Sequence, residues 1–305
     1  MNKLAILFVI LALTSCNNPL QENDYNSKNK KILNQVDQPK NLKVHELPSK
    51  LVEISGISFL NNDTFFAIQD EDGILYEYNL TENKIINEFQ FGQADDYEDV
   101  VIVKEDVFIV ISNGTIIRIR DYRSDNRVIS KFKTSLNKKN DIEGLTFQPL
   151  KNRLLLAAKE GGLNHDKKEV VKDIYAFDLN TMELIEKPVY SIKLNEIEEY
   201  FKGDALMESS RKFLKAVGNS NMNKIFKSSA ITVHPQNNTI FILSSINKLI
   251  AVLSTEGKLV RIIKFEGKEF TQPEGISFSK NGKLYVSNEG GKQGIGNVIE
   301  LEYAN

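Results

Sequence analysis

A chain of 305 residues is long enough for one large domain or two ordinary ones, and its 41% hydrophobic and 26% charged content is that of a globular protein. A formal net charge of −2 supplies no basic field, which argues against nucleic acid as a partner. With no Trp and only three His, sugar-stacking platforms and multi-His metal sites are disfavoured as well.

The N-terminus differs from the rest. Asn2 and Lys3 precede an apolar run at 4–13, which is too short to span a bilayer as a helix. A polar start, a short apolar stretch and then small residues describe a secretory signal over 1–15. It ends in Leu13-Thr14-Ser15-Cys16, which resembles the bacterial lipobox, and Cys16 is the only cysteine in the chain. That resemblance implies cleavage before Cys16 and lipidation there; a plain signal peptide with an incidental Cys is the alternative. A lipidated chain is tethered to the membrane and does not span it. Asn17 after the cysteine points to the outer membrane of a bacterial envelope by the usual sorting rule. Residues 16–39 are mostly polar and cannot bury enough surface to offset chain entropy. They read as a flexible tether, with 40–305 as the folded domain.

From residue 42 onward the pattern is all-β. The first unit places strands at 54–59, 64–69, 74–79 and 84–91, with turns such as Asn61-Asn62-Asp63 and Asp70-Glu71-Asp72-Gly73 between them. The second unit follows at 100–103, 107–112, 115–121 and 127–133, with Asn113-Gly114 as a hairpin signal. The third has 143–147, 153–158, 173–178 and 189–194, with an extra loop at 160–170. Residues 195–226 then show apolar positions closer to helical spacing, so a short helical insertion is expected there. The fourth unit occupies 230–233, 239–244, 248–254 and 259–265, and the fifth only 275–278, 283–288 and 297–303. Four short strands in about forty residues are the signature of a propeller blade. The fifth unit lacks a strand, and 42–47 has one to spare. Pairing the two closes the ring and removes an open edge. The expectation is a five-bladed β-propeller, with a sixth blade inside 195–226 as the alternative.

One motif recurs at the start of each unit: Ile142-Glu143-Gly144-Leu145-Thr146-Phe147 and Pro273-Glu274-Gly275-Ile276-Ser277-Phe278, with weaker echoes at 54–59, 97–102 and 228–233. Alignment gives a column of Ser55, Glu98, Glu143, Ser229 and Glu274 at the entrance of the innermost strands. Small residues follow at Gly56, Gly144, Ala230 and Gly275, a pattern that Asp99 breaks. Carboxylates converging on one axis raise one another's pKa unless something neutralises them. Glu98, Glu143 and Glu274 are therefore expected to hold a hard divalent cation, since oxygen-only ligands favour Ca²⁺ or Mg²⁺ over Zn²⁺. The bland alternative leaves them on a solvated rim. A second column after the second strand, Asp70, Asn113, Glu160, Ser245 and Glu289, coincides with ordinary turn positions. Within it Asp70, Glu160 and Glu289 are candidate ligand-binding residues. His45, His165 and His234 have no nucleophile or second His at motif spacing, and no phosphate loop or nucleophile elbow is present.

The stretches 143–147, 154–160, 228–235, 273–278 and 284–289 resemble the SdiA-regulated (YjiK-like) family, and related Glu-Gly strands occur in esterase-like phytase and NHL-type propellers. The resemblance implies a bacterial envelope propeller for which Ca²⁺ binding is plausible and no catalytic activity is established. Glu143, Glu160, Glu274 and Glu289 match the family's acidic positions. Ser55 and Ser229 depart from them, so any site is lopsided. Beside a structural envelope protein whose glutamates merely cap strands, two functions fit these residues. One is a lipid-anchored monomeric module that binds a small molecule or an envelope protein. The other is a metal-dependent hydrolase of phosphate esters, carboxylic esters or lactones.

Overall fold

Each copy of the repeated motif forms the innermost strand of an antiparallel sheet. The computed structural model describes residues 36–163, 170–201, 225–291 and 294–303. It begins with β1 (Val36–Asp37) and β2 (Lys40–Glu46). Blade 1 comprises β3 (Ile54–Phe59), β4 (Thr64–Gln69), β5 (Ile74–Asn79) and β6 (Lys84–Gln90), and blade 2 comprises β7 (Tyr97–Val103), β8 (Asp106–Ile111), β9 (Ile116–Arg120) and β10 (Val128–Phe132). Blade 3 is β11 (Ile142–Gln148), β12 (Arg153–Ala158), β13 (Val171–Asp178) and β14 (Glu183–Lys193), followed by helix α1 (Leu194–Tyr200). Blade 4 is β15 (Ala230–Val233), β16 (Ile240–Ser244), β17 (Leu249–Leu253) and β18 (Leu259–Lys264). Blade 5 is β19 (Pro273–Phe278), β20 (Leu284–Asn288) and β21 (Asn297–Glu302), with β2 as its outermost strand.

The ring therefore closes with the N-terminal strand, as the missing strand of the last unit requires. Val44 pairs antiparallel with Ile299 and Glu46 with Asn297. The five inner strands meet in order, β3 with β7, β7 with β11, β11 with β15, β15 with β19, and β19 with β3. Because β11 packs directly on β15, the ring has no place for a sixth blade between them. Folded chain also starts earlier than residue 40. β1 adds in parallel to the outer edge of β18, with Val36 beside Ile262, and Asp37 pairs with Arg261 at 3.0 Å.

Blades pack face to face, and each contact buries its own apolar cluster. Between blades 1 and 2 lie Phe66, Ile68, Val107 and Ile109. Blades 2 and 3 share Val101, Val110, Leu154 and Tyr175. Leu155, Ile174, Ile231 and Ile242 join blades 3 and 4, and Phe241, Ile263, Ile276 and Val286 join 4 and 5. Ile57, Phe65, Tyr285 and Val298 close the last contact, between blades 5 and 1. Each such side chain contributes ~1.5–3 kcal/mol on burial, so the sandwiches hold the ring without disulfides.

Helix α1 realises the start of the expected insertion. It buries Leu194, Ile197 and Tyr200, spaced three residues apart, against the cluster between blades 3 and 4. The expected signal at 1–15, Cys16, the tether up to residue 35, His165 and residues 202–224 of the insertion lie outside the described residues. Among the described residues no helix is long and apolar enough to cross a membrane.

Candidate cation site at the channel mouth

Four of the five inner strands start with an irregularity, and only β15 pairs in unbroken register. In β7 Tyr97 pairs with Ile111 and Asp99 with the next residue back, Val110, so Glu98 has no partner. Glu143 is skipped in the same way between Ile142 and Gly144, and Glu274 between Pro273 and Gly275. In β3 the skipped pair is Ser55 and Gly56. A β-bulge of this kind releases one residue from the ladder and re-aims its side chain. Repeated around the ring, it turns Ser55, Glu98, Glu143 and Glu274 into one cavity with Ser229, a space of about 300 Å³ at the mouth of the central channel. The predicted column is thus a single constellation.

Loops at the same end add the rest of the lining. Asp70 and Glu289 follow β4 and β20, Lys159 follows β12, and Asp96, Asp141 and Gln272 precede β7, β11 and β19. Backbone bonds lace these loops together: Tyr97 N–H donates to Asp70 O at 2.9 Å, Ile142 N–H to Ser112 O at 2.9 Å, and Lys159 N–H to Asp141 O at 2.7 Å. The fully buried Lys172 ammonium donates to the carbonyls of Lys159 and Glu160 at 2.6 and 3.2 Å, which fixes that corner from beneath. Asp141 itself sits at φ 55, a left-handed conformation that Asp tolerates better than most residues.

Carboxylate oxygens of Glu98, Asp141 and Glu143 all lie within 4.8 Å of one another. Glu274 faces the same cavity but stands outside that trio, while Asp141, which the sequence reading missed, takes its place. Lys159 was missed too. Its ammonium forms an ion pair with Glu143, whose residue is only 6% exposed. Seven carboxyl groups share the cavity with this one ammonium.

The electrostatics follow from that imbalance. Burial, with Glu143, Asp96 and Asp141 around it, pushes the Glu98 carboxyl up to about 10. Burial raises Glu143 to about 8, against the opposing effect of Lys159. Glu289 is raised to about 8 by burial and by Glu274, and Glu274 to about 7 by burial. Burial works against the Lys159 ammonium, yet Glu143, Asp141 and Glu274 together raise its pKa. Carboxyl groups held this far above their ordinary range are short of positive charge. The donors are all oxygen, which suits Ca²⁺ or Mg²⁺ and not a soft metal.

The second expected column divides. Asp70 and Glu289 line the cavity, but Glu160 does not; its carboxylate pairs with Lys227. Asn113 serves its own turn, its side-chain oxygen accepting from Thr115 N–H at 2.9 Å. Strand register explains the split. Gln69, Ala158 and Asn288 pair with Ile54, Ile142 and Pro273, so the residues equivalent to Asp70 and Glu289 are Lys159 in blade 3 and Ser112 in blade 2. A one-residue slip had placed Glu160 and Asn113 there, and such a slip turns each side chain to the other face. Neither described histidine contributes. His45 lies on β2, and His234 lines a separate space of about 160 Å³ at the opposite end of the channel.

A closed five-bladed β-propeller with an acidic channel mouth is therefore the class that fold and site define. The SdiA-regulated family model matches residues 186–295, which bears out the resemblance read from the motifs. Three of those motifs, at 228–235, 273–278 and 284–289, fall inside the matched range. Among solved structures, Myxococcus xanthus glutaminyl cyclase superposes with a TM-score of 0.53 at 10% identity, over 88% of this chain and 98% of that one. Virginiamycin B lyase from Staphylococcus aureus gives 0.43 at 14% identity, over 81% and 67%. The Neurospora crassa Pan2 WD40 domain gives 0.39 at 10% identity; 81% of this chain is covered but only 62% of that one. Likeness at these identities is one of fold. No curated protein matches the chain.

Proposed function

We propose that this chain is a lipid-anchored binding module of the bacterial envelope whose channel mouth holds a divalent cation, Ca²⁺ by preference, and presents it to a ligand. The observation that carries the reading is the convergence of Glu98, Asp141 and Glu143 on bulges and loops of adjacent blades, in a cavity with a surplus of carboxyl groups. Ca²⁺ accepts irregular all-oxygen sets, whereas Mg²⁺ demands a near-ideal octahedron. The lipobox-like Leu13-Thr14-Ser15-Cys16 supports the anchor.

Hydrolysis has less support. A bound cation can polarise a substrate oxygen or acidify water, but a phosphate ester would add negative charge to a cavity already rich in it. The described lining also offers no nucleophile paired with a base.

Calorimetric titration of the mature chain tests the cation site. Ca²⁺ binds the wild type, and Glu98→Gln or Glu143→Gln weakens binding ~tenfold or more, since affinity in such sites follows ligand charge. Unchanged isotherms in both variants would remove the site. The anchor is tested by fractionation: wild-type chain is expected with membranes and Cys16→Ser in the soluble fraction, and equal partitioning of the two would contradict lipidation.

A further inference from the structure

The cavity has two sides, and the cation trio uses one of them. Glu98, Asp141 and Glu143 belong to blades 2 and 3 or the loop between them. Ser55 and Asp70 of blade 1, with Glu274 and Glu289 of blade 5, form the facing side. Lys159 stands between, ion-paired with Glu143 and within electrostatic reach of Glu274. We propose that the blade 5–blade 1 side, formed by Ser55, Asp70, Glu274 and Glu289, binds the ammonium head of an organic amine ligand beside the divalent cation. This rests on the cation reading above and names the class of ligand that the site takes.

Charge gives the first argument. A divalent cation on the trio, together with Lys159, leaves the carboxylates of Asp70, Glu274 and Glu289 without a positive partner among the described residues that line the cavity. An anionic ligand would worsen that balance and a neutral one would not change it. The Gln272 amide donates to Glu289 and to Glu274, which orients both but is itself neutral.

Unmet hydrogen bonding gives the second. Ser55 is only 4% exposed and lines the cavity, yet its hydroxyl has no hydrogen-bond partner. The Oδ1 of Asp70 is likewise out of solvent and unpartnered. Buried polar atoms are ordinarily paired, so these two mark where ligand donors belong. Among the described residues only the Glu98–Asp141–Glu143 oxygens gather within 4.8 Å; those of Asp70, Glu274 and Glu289 do not, so they are set too wide to share one small metal ion. One ammonium does not need all three, and acceptors ~2.8 Å from its tetrahedral nitrogen stand ~4.6 Å apart; its N–H groups would bond the unpartnered Ser55 hydroxyl and Asp70 Oδ1 together with one of the two glutamates. The space of about 300 Å³ admits the head and a short aliphatic chain.

The test uses the full mature chain saturated with Ca²⁺, titrated calorimetrically with n-butylammonium, 1-butanol and butyrate, three probes of similar shape and different charge. Ca²⁺ binding is recorded first and separately, so failure of the cation reading is seen before any amine is added. The expected result is binding of n-butylammonium alone, with a Kd on the order of 1 mM for so small a probe. Asp70→Asn and Glu289→Gln are each expected to weaken the amine ~tenfold, and more than they weaken Ca²⁺, while Glu98→Gln does the reverse. Both substituted side chains are only partly buried, and their amides keep the shape of the site. The proposal is overturned if Ca²⁺ binds and the amine does not, or if butyrate binds as well as the amine. It is overturned equally if a second Ca²⁺ occupies the Asp70–Glu289 side, or if amine affinity ignores both substitutions.

Discussion

At the scale of the residue, Lys159 decides how strongly the ion-free cavity holds together. Its ammonium sits among carboxylates and pairs with Glu143, so it partly does the work of a metal cation. It also competes with one, because both need the Glu143 oxygens and like charges repel at short range. Lys159→Met should therefore tighten Ca²⁺ binding about tenfold and lower the melting temperature of the ion-free chain. Calorimetry and thermal unfolding check the two halves; weaker Ca²⁺ binding in the variant would make Lys159 a support of the site and not a competitor. The lysine was visible in the sequence, next to Glu160, but its orientation was not. Side-chain direction at the end of β12 depends on the pairing of Ile142 with Ala158, and register of that kind is a tertiary fact. Glu98, Glu143 and Glu274 were legible because the motif around them repeats.

At the scale of the element, the inner strands are joined by side chains as well as by their apolar faces. Asp99 on β7 is 1% exposed, and its carboxylate accepts from its neighbour Val100 N–H and, across the blade boundary, from Leu145 N–H on β11, both at 2.8 Å. Ser58 does the same between blades 1 and 2, accepting from Ile102 N–H at 3.2 Å. Gly56 is small because Asp99 is there: a Cβ at that position would lie 2.6 Å from the Asp99 Cα. Asp99 interrupted the column of small residues in the sequence, and the structure gives the reason, a carboxylate spent on joining β7 to β11. Asp99→Ala leaves the buried Leu145 N–H without an acceptor and should cost ~2 kcal/mol or more in denaturant unfolding. A loss below about 0.5 kcal/mol, the usual range for an uninvolved surface position, would mean the bond is dispensable. The five blades and the closing strand were readable because strand period and turn residues repeat. β1 was not, since two residues added in parallel to β18 carry no periodic signal.

At the scale of the whole molecule, the closed ring and the acidic mouth set a pH dependence. A carboxyl whose pKa is raised by folding binds more protons in the native than in the unfolded chain. Its stabilising contribution is complete below the unfolded value, near 4.5 for Glu, and disappears as pH rises through the folded value. For Glu274, Glu143, Glu289 and Glu98 those folded values are about 7, 8, 8 and 10. The ion-free protein should thus lose stability steadily from about pH 5 to about pH 10. A bound divalent cation reverses the trend, because it stabilises the ionised carboxylates that repel one another without it. Saturation at ~100 times the Kd adds ~2.7 kcal/mol, or about 5 °C or more in a domain of this size. The most direct measurement is thermal unfolding of the mature chain at pH 5.5 and pH 8.5, with EDTA and with Ca²⁺. The account predicts a lower melting temperature at pH 8.5 than at pH 5.5 in EDTA, and a Ca²⁺-induced rise that is larger at pH 8.5 and about halved or less in Glu98→Gln at the same Ca²⁺ concentration. Identical melting with EDTA and with Ca²⁺ at both pH values would contradict it.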